Sequence, residues 1–118
     1  MNSKWIWVDS KEKVKKAKSH LKTLSLIGMD TEYDSFRYFR EKLCLIQIAA
    51  GPVTYLFDPL DEIDITFLGK VFADQNVLKI MHACDNDIRL LNRDYGFKFK
   101  NIFDTHRAAS ILGSTSLS

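Results

Sequence analysis

Two cysteines, Cys44 and Cys84, are the only thiols in this 118-residue chain. They stand far apart and form no metal-ligand or redox pair. Cys44 lies in an apolar run and reads as a core thiol. A reduced, cytosolic setting fits such usage better than a secreted one. No apolar run approaches the length of a membrane span, and the opening MNSKWIWVDS holds no apolar signal core of the usual length. Charge of one sign is also scarce. The formal net charge is +2, so no overall basic field demands a nucleic-acid partner, and any such binding must come from a local patch. Repeats, low-complexity tracts and linkers are absent. There is no GxSxG, P-loop or GxGxxG, and no CxxC or HExxH. His20, His82 and His106 are scattered, so no zinc spacing competes. The DND at 85–87 lacks the remaining positions of an EF-hand loop.

What is present is enough for one domain with a real core: an apolar fraction of 46% is that of an ordinary globular protein. The stretch that organises it is Leu24 to Glu32, LSLIGMDTE. An apolar run there ends in two carboxylates, Asp30 and Glu32. Residues two apart on a strand share a face, so Leu26, Gly28, Asp30 and Glu32 lie on one side. The acids stand at the C-terminal end of the strand, where an α/β sheet usually places its ligands. Their mutual repulsion is relieved by a hard divalent cation, which takes carboxylate oxygens.

Around this stretch the chain reads as alternating elements. Trp5 to Val8 is a strand. Asp9 with Glu12 forms a capping-box pattern and starts a helix that places Val14, Ala17 and Leu21 on one face. Lys11, Lys13, Lys15, Lys16, Lys18 and Lys22 fill much of the rest, a solvated face in preference to a phosphate-contacting one. Asp34 to Lys42 is a polar and aromatic loop or edge segment. Leu43 to Ala49 and Val53 to Phe57 are strands joined through Gly51-Pro52. With so short a connection they are antiparallel neighbours, so the central strand opens a three-stranded meander. Asp58 to Asp64 is an acidic turn region, and Ile65, Leu68 and Val71-Phe72 recur at helical spacing. Gln75-Asn76 breaks that helix. Val77 to Met81 is a fourth sheet strand, returning by a parallel crossover. Asp85 caps the next helix, with Asp87 in its first turn facing the positive end of the dipole, and Gly96 closes it. Phe97 to Phe103 is a short connecting segment. Asp104-Thr105 caps a last helix through Ala108, Ala109, Ile111 and Leu112, ended by Gly113.

If the two strands are neighbours, Asp30, Glu32 and Asp87 converge at one rim of the sheet. Such a cluster suits a pair of metal ions that stabilise the attacking and leaving oxygens of an in-line displacement at phosphorus. IGMDTEYD, KLCLIQIA, KIMHACDNDIRLLNRDYGF and NIFDTHRAASILG together resemble ribonuclease D and its relatives, the 3′–5′ exonucleases of the DEDD group. The resemblance runs from about Trp5 to the last residue. It implies a ribonuclease H-like α/β fold, a mixed sheet with an antiparallel start flanked by helices. It implies that Asp30 bridges two Mg2+ or Mn2+ ions, that Glu32 holds the ion activating water and that Asp87 helps hold the other. The implied reaction is hydrolysis at an RNA 3′ end, releasing nucleoside 5′-monophosphates. Tyr33, Gln47 and His82 lie near these motifs as candidates to touch the terminal nucleotide. Asp104 fits a helix cap better than a ligand.

The family's third motif, an acid beside a tyrosine or histidine, has no counterpart here. No acid follows Asp104 and no tyrosine follows Tyr95. The expectation is a C-terminally incomplete domain spanning 1–118, weak or inactive alone. Apolar surface is then exposed on one side, with Ile111 and Leu112 as one place to look. Two other readings stay open: a non-catalytic module that binds nucleic acid or protein, or half of an enzyme completed by a homodimer partner or another chain. No membrane association is expected.

Overall fold

The computed structural model describes residues 4–34, 42–59 and 61–112. Its strands are β1 (Lys4–Val8), β2 (Leu26–Asp34), β3 (Lys42–Ala50), β4 (Val53–Phe57), β5 (Leu78–Met81) and β6 (Ile102–Asp104). Its helices are α1 (Lys11–Leu21), α2 (Leu68–Ala73), α3 (Asp85–Tyr95) and α4 (Thr105–Ile111). The strands form one sheet in the order β1-β4-β3-β2-β5-β6. β2, β3 and β4 make the expected antiparallel meander. β1 joins β4, β5 joins β2 and β6 joins β5, all in parallel, so β3 alone runs against the rest. Most of the segment expected as a loop between β2 and β3 (35–41), and Gly113, fall outside the described residues.

Handedness decides which face is covered. The crossovers β1-α1-β2, β4-α2-β5 and β5-α3-β6 all step toward the same edge of the sheet. Parallel crossovers are right-handed in nearly every case, so α1, α2 and α3 fall on one face. That face carries Val8, Ile27, Met29, Ile46, Ile48, Tyr55, Phe57 and Met81, which join Ala17, Leu21, Leu68, Phe72 and Leu91 of the helices in a single core. Fully buried side chains such as Phe57 each contribute ~1.5–3 kcal/mol.

Among the described residues the opposite face is exposed and largely apolar. Its residues follow each other across the sheet in register, from Trp5 through Thr54, Ala49, Gly28 and Ile80 to Phe103. Trp5 is 60% exposed, and Trp7, Leu26, Ile80 and Phe103 are exposed too. Ile111 and Leu112, the residues expected to show apolar surface, are each 85% exposed.

Four local expectations need correction. α1 is capped by Ser10, whose side chain accepts from the Lys13 amide, whereas Asp9 pairs with the Lys13 ammonium at 3.0 Å. The short serine arm reaches the third helical amide and displaces the capping box. α3 starts from Cys84 rather than Asp85. Cys44 is half-buried, and the buried thiol is Cys84. The connecting segment ends in a sixth strand, β6, held on β5 by the pairs Lys79↔Ile102, Ile80↔Phe103 and Met81↔Asp104. Lys79 is fully buried on the helix side. Its ammonium donates to the carbonyls of Asp74 and Lys100, tying together the loops that flank β5. Burial lowers its pKa, against the charge of Asp74.

Candidate active site

β2 alternates strictly. Ile27, Met29 and Thr31 are buried, while Asp30 and Glu32 are exposed on the opposite face. Thr31 is the residue that links the acids. Its amide donates to Asp30 Oδ1 at 2.9 Å, and its hydroxyl donates to Asp87 Oδ1 at 2.7 Å. Asp87 occupies the first turn of α3, where the unpaired amides and the helix dipole favour negative charge. Its carboxyl is nonetheless raised above the ordinary range. Burial pushes it up, the Thr31 hydroxyl pulls it down and the charge of Asp30 pushes it up again. Asp30 and Asp87 are therefore within electrostatic reach of each other. Glu32 lies one pleat beyond Asp30 on the exposed side, just before a β-bulge at Glu32/Tyr33, and does not join the Thr31 contact.

Thr31 thus touches both Asp30 and Asp87, while Glu32 is exposed two residues along the strand from Asp30. Among the described residues no three His, Cys, Asp or Glu lie close enough together to hold one metal ion. The donor chemistry of the acid pair still fits a hard divalent cation. Two carboxylates repel each other across a threonine, and one of them is partly withdrawn from water.

The three candidate substrate contacts separate. Gln47 stands directly across β3 from Asp30. His82 lies two residues past Ile80, just as Asp30 lies two residues past Gly28, the partner of Ile80. Its ring is held by a 2.9 Å bond between Nδ1 and the Thr105 hydroxyl and packs edge-on against His106. Gln47 is therefore the cross-strand neighbour of Asp30, and His82 is turned toward the start of α4. Strand alternation carries the Tyr33 ring to the helix side with Thr31, packed against the core. Its hydroxyl is enclosed and has no hydrogen-bond partner among the described residues. Its pKa is raised by burial first and then by the charges of Asp94 and Asp87, which places the phenol under α3.

Asp104 does more than cap its own helix. Its carboxylate accepts from His106 N at 2.9 Å, and also from Ala83 N at 2.9 Å and Cys84 N at 3.0 Å in the β5–α3 turn. Burial raises its carboxyl, but the Cys84 and Ala83 amides, the Cys84 thiol and the His106 amide outweigh that and hold it well below the usual range. The Cys84 thiol is pushed up to about 12 by burial and by its contact with Asp104. Thr31 and this turn contact escaped the sequence reading. Thr31 had one available signal, its position between two acids on the inward phase of the strand.

The fold is a mixed α/β sheet with Asp30 and Glu32 near the C-terminal end of β2 and Asp87 in the first turn of α3, the architecture that the ribonuclease H-like resemblance implies. Residues 5–118 match the 3′–5′ exonuclease family, and the chain belongs to it. It is 40% identical over 112 residues to the exosome complex component 10 homolog of Drosophila melanogaster, covering 94% of this chain and 12% of that protein. It is 36% identical over 110 residues to ribonuclease D of Desulfotalea psychrophila, covering 92% of this chain and 29% of that protein. The catalytic core of RRP6 from Trypanosoma brucei superposes with a TM-score of 0.85 at 28% identity, covering 93% of this chain and 31% of that one. The chain therefore spans less than a third of the length of each of these relatives. The resemblance to ribonuclease D holds in both sequence and fold.

Proposed function

We propose that this domain hydrolyses the terminal phosphodiester of RNA from the 3′ end, releasing nucleoside 5′-monophosphates. The observation that carries the reading is Thr31, which binds the carboxylates of Asp30 and Asp87 at once. Asp30 and Asp87 would hold Mg2+ or Mn2+, with Glu32 completing the catalytic set from the same strand. When bound, such ions neutralise the phosphate and lower the pKa of a coordinated water. The chain's own part is to hold the two carboxylates in place around Thr31. Gln47 and His82 would orient the terminal nucleotide. RNA is favoured because the relatives include a protein named ribonuclease D.

Free thiols at Cys44 and Cys84 support a reducing, cytoplasmic setting. The test is hydrolysis of a 5′-labelled single-stranded RNA with a free 3′ end, with Mg2+ or Mn2+. Stepwise shortening that disappears in Asp30→Asn and in Asp87→Asn supports the reading. RNA binding that neither the metal nor these substitutions alter, without cleavage, would instead make the domain a binding module.

A further inference from the structure

We infer that Asp104 is a positioning residue for Asp87, fixing the N-terminus of α3 by filling the concavity made by the Ala83 and Cys84 amides. This inference rests on the proposed role of Asp87. Ala83 has φ 50°, in the left-handed region, and Cys84 follows with φ −90° and ψ 1°. Successive residues in such a pairing point their N–H groups into one anion-binding hollow. Here the hollow holds a carboxylate from a different strand, one oxygen on each amide. The N-cap residue Cys84 makes no side-chain cap bond, so the entry of the chain into α3 is fixed through its backbone, by the Asp104 carboxylate on the Ala83 and Cys84 amides.

Two neighbours reinforce the grip. The Thr105 hydroxyl donates to the Met81 carbonyl at 3.2 Å, and the Arg107 guanidinium pairs with Asp85. Asp87 lies less than one helical turn past this anchor. A shift of the α3 terminus therefore reaches the 2.7 Å contact between Asp87 and Thr31 almost undiminished.

A residue that merely caps α4 would behave differently, and Asp104→Ser separates the two roles. Serine still accepts from the His106 amide, but its short arm does not span to Ala83 and Cys84. Mn2+ affinity is read by water-proton relaxation and amide exchange at Asp87 and Ile88 by NMR in the metal-free chain. Both are measured for the wild type, Asp104→Ser, Asp104→Asn, Asp87→Asn and the Asp104→Ser/Asp87→Asn double variant. Loss of a group that orients a metal ligand costs ~10–100-fold in affinity or activity. For Asp104→Ser the expected loss is at the lower end, about tenfold, with faster exchange at Asp87 and Ile88. The Asp87→Asn background should abolish any further loss of Mn2+ affinity, since the two residues act through one path.

Unchanged exchange at Asp87 and Ile88, or an equal further loss of affinity in the Asp87→Asn background, overturns the inference. Unfolding of both single Asp104 variants in the cold also overturns it, by making Asp104 a residue of global stability. If Asp87→Asn itself leaves Mn2+ binding intact, the metal reading of Asp87 fails instead, and the exchange data still decide the role of Asp104.

Discussion

Replacing Thr31 by valine keeps the shape and β-branching of the side chain and removes one atom, the hydroxyl that donates to Asp87 at 2.7 Å. A hydrogen bond to a charged group contributes ~1.5–3 kcal/mol. Asp87 is half-buried, so water replaces part of the lost partner and the lower figure applies. Thr31 is itself buried, so the new methyl returns up to ~0.8 kcal/mol. The net loss at pH 7 is about 1 kcal/mol, or about 4 °C in Tm for a domain of this size. The pH dependence follows from the direction of the Asp87 shift. Its folded carboxyl is raised above the ordinary value, so the folded chain binds that proton more readily. Stability therefore falls as pH rises from the ordinary carboxylate range through the raised folded value. Thr31→Val removes the one interaction that lowers the value, so the fall becomes steeper. Below the ordinary carboxylate range, at about pH 3, a carboxyl raised in this way is largely protonated, and the variant should match the wild type within about 0.5 kcal/mol. Urea denaturation at both pH values measures this. An equal loss at the two, or none at pH 7, would show that the hydroxyl does not hold the ionised Asp87.

Tyr33→Phe removes an enclosed hydroxyl that has no partner among the described residues, and should raise stability in urea by about 1 kcal/mol. A loss of stability would mean that the hydroxyl finds a partner in solution. With its thiol pushed up to about 12 and buried, Cys84 should react with a disulfide reagent at pH 8 only on unfolding, whereas Cys44 reacts at once. Two fast thiols would contradict the packing around Asp104. Trp5 and Trp7, both exposed, should show red-shifted emission quenched by acrylamide. A blue-shifted, shielded signal would mean that the exposed sheet face is covered in solution.

The meander was legible because LCLIQIA, Gly51-Pro52 and VTYLF leave too little chain for anything but a hairpin, and β3 and β4 pair accordingly. The short β6 was hidden because its three residues show no period of their own and are fixed by pairing with β5. Helix starts slipped by one residue at Ser10 and Cys84. The reason is clearest at Cys84, a poor cap by residue type with no side-chain cap bond of its own, whose backbone is held in place by Asp104 from far along the chain. Lys79 defies the usual rule. In LKIM the charged residue points inward and Ile80 outward, because the outward face is itself apolar and the inward side offers two carbonyls to the ammonium. Strand parity, first-turn position and family likeness single out Asp30, Glu32 and Asp87 in the sequence, and the structure puts the first two on the exposed phase of β2 and the third in the first turn of α3. The contact between Asp87 and Thr31 depends on where α3 docks, which no local pattern encodes.

The exposed face and the acid pair have one topological origin. Because every parallel crossover steps toward the same edge, the helices gather on one side, and Asp30 and Glu32 are left at the border of an open apolar plain. The same rule brings α3 back beside β2 from the covered side, so Asp87 reaches the rim from beneath. A carboxylate half-withdrawn from water and facing another acid is a costly arrangement for a metal-free domain. Thr31, the first turn of α3 and the Asp104 anchor each offset part of that cost without removing it. A cation seated between Asp30 and Asp87 would remove it, so the ion should stabilise the fold as it loads the site. Stability and catalysis would then respond together to the loss of either carboxylate.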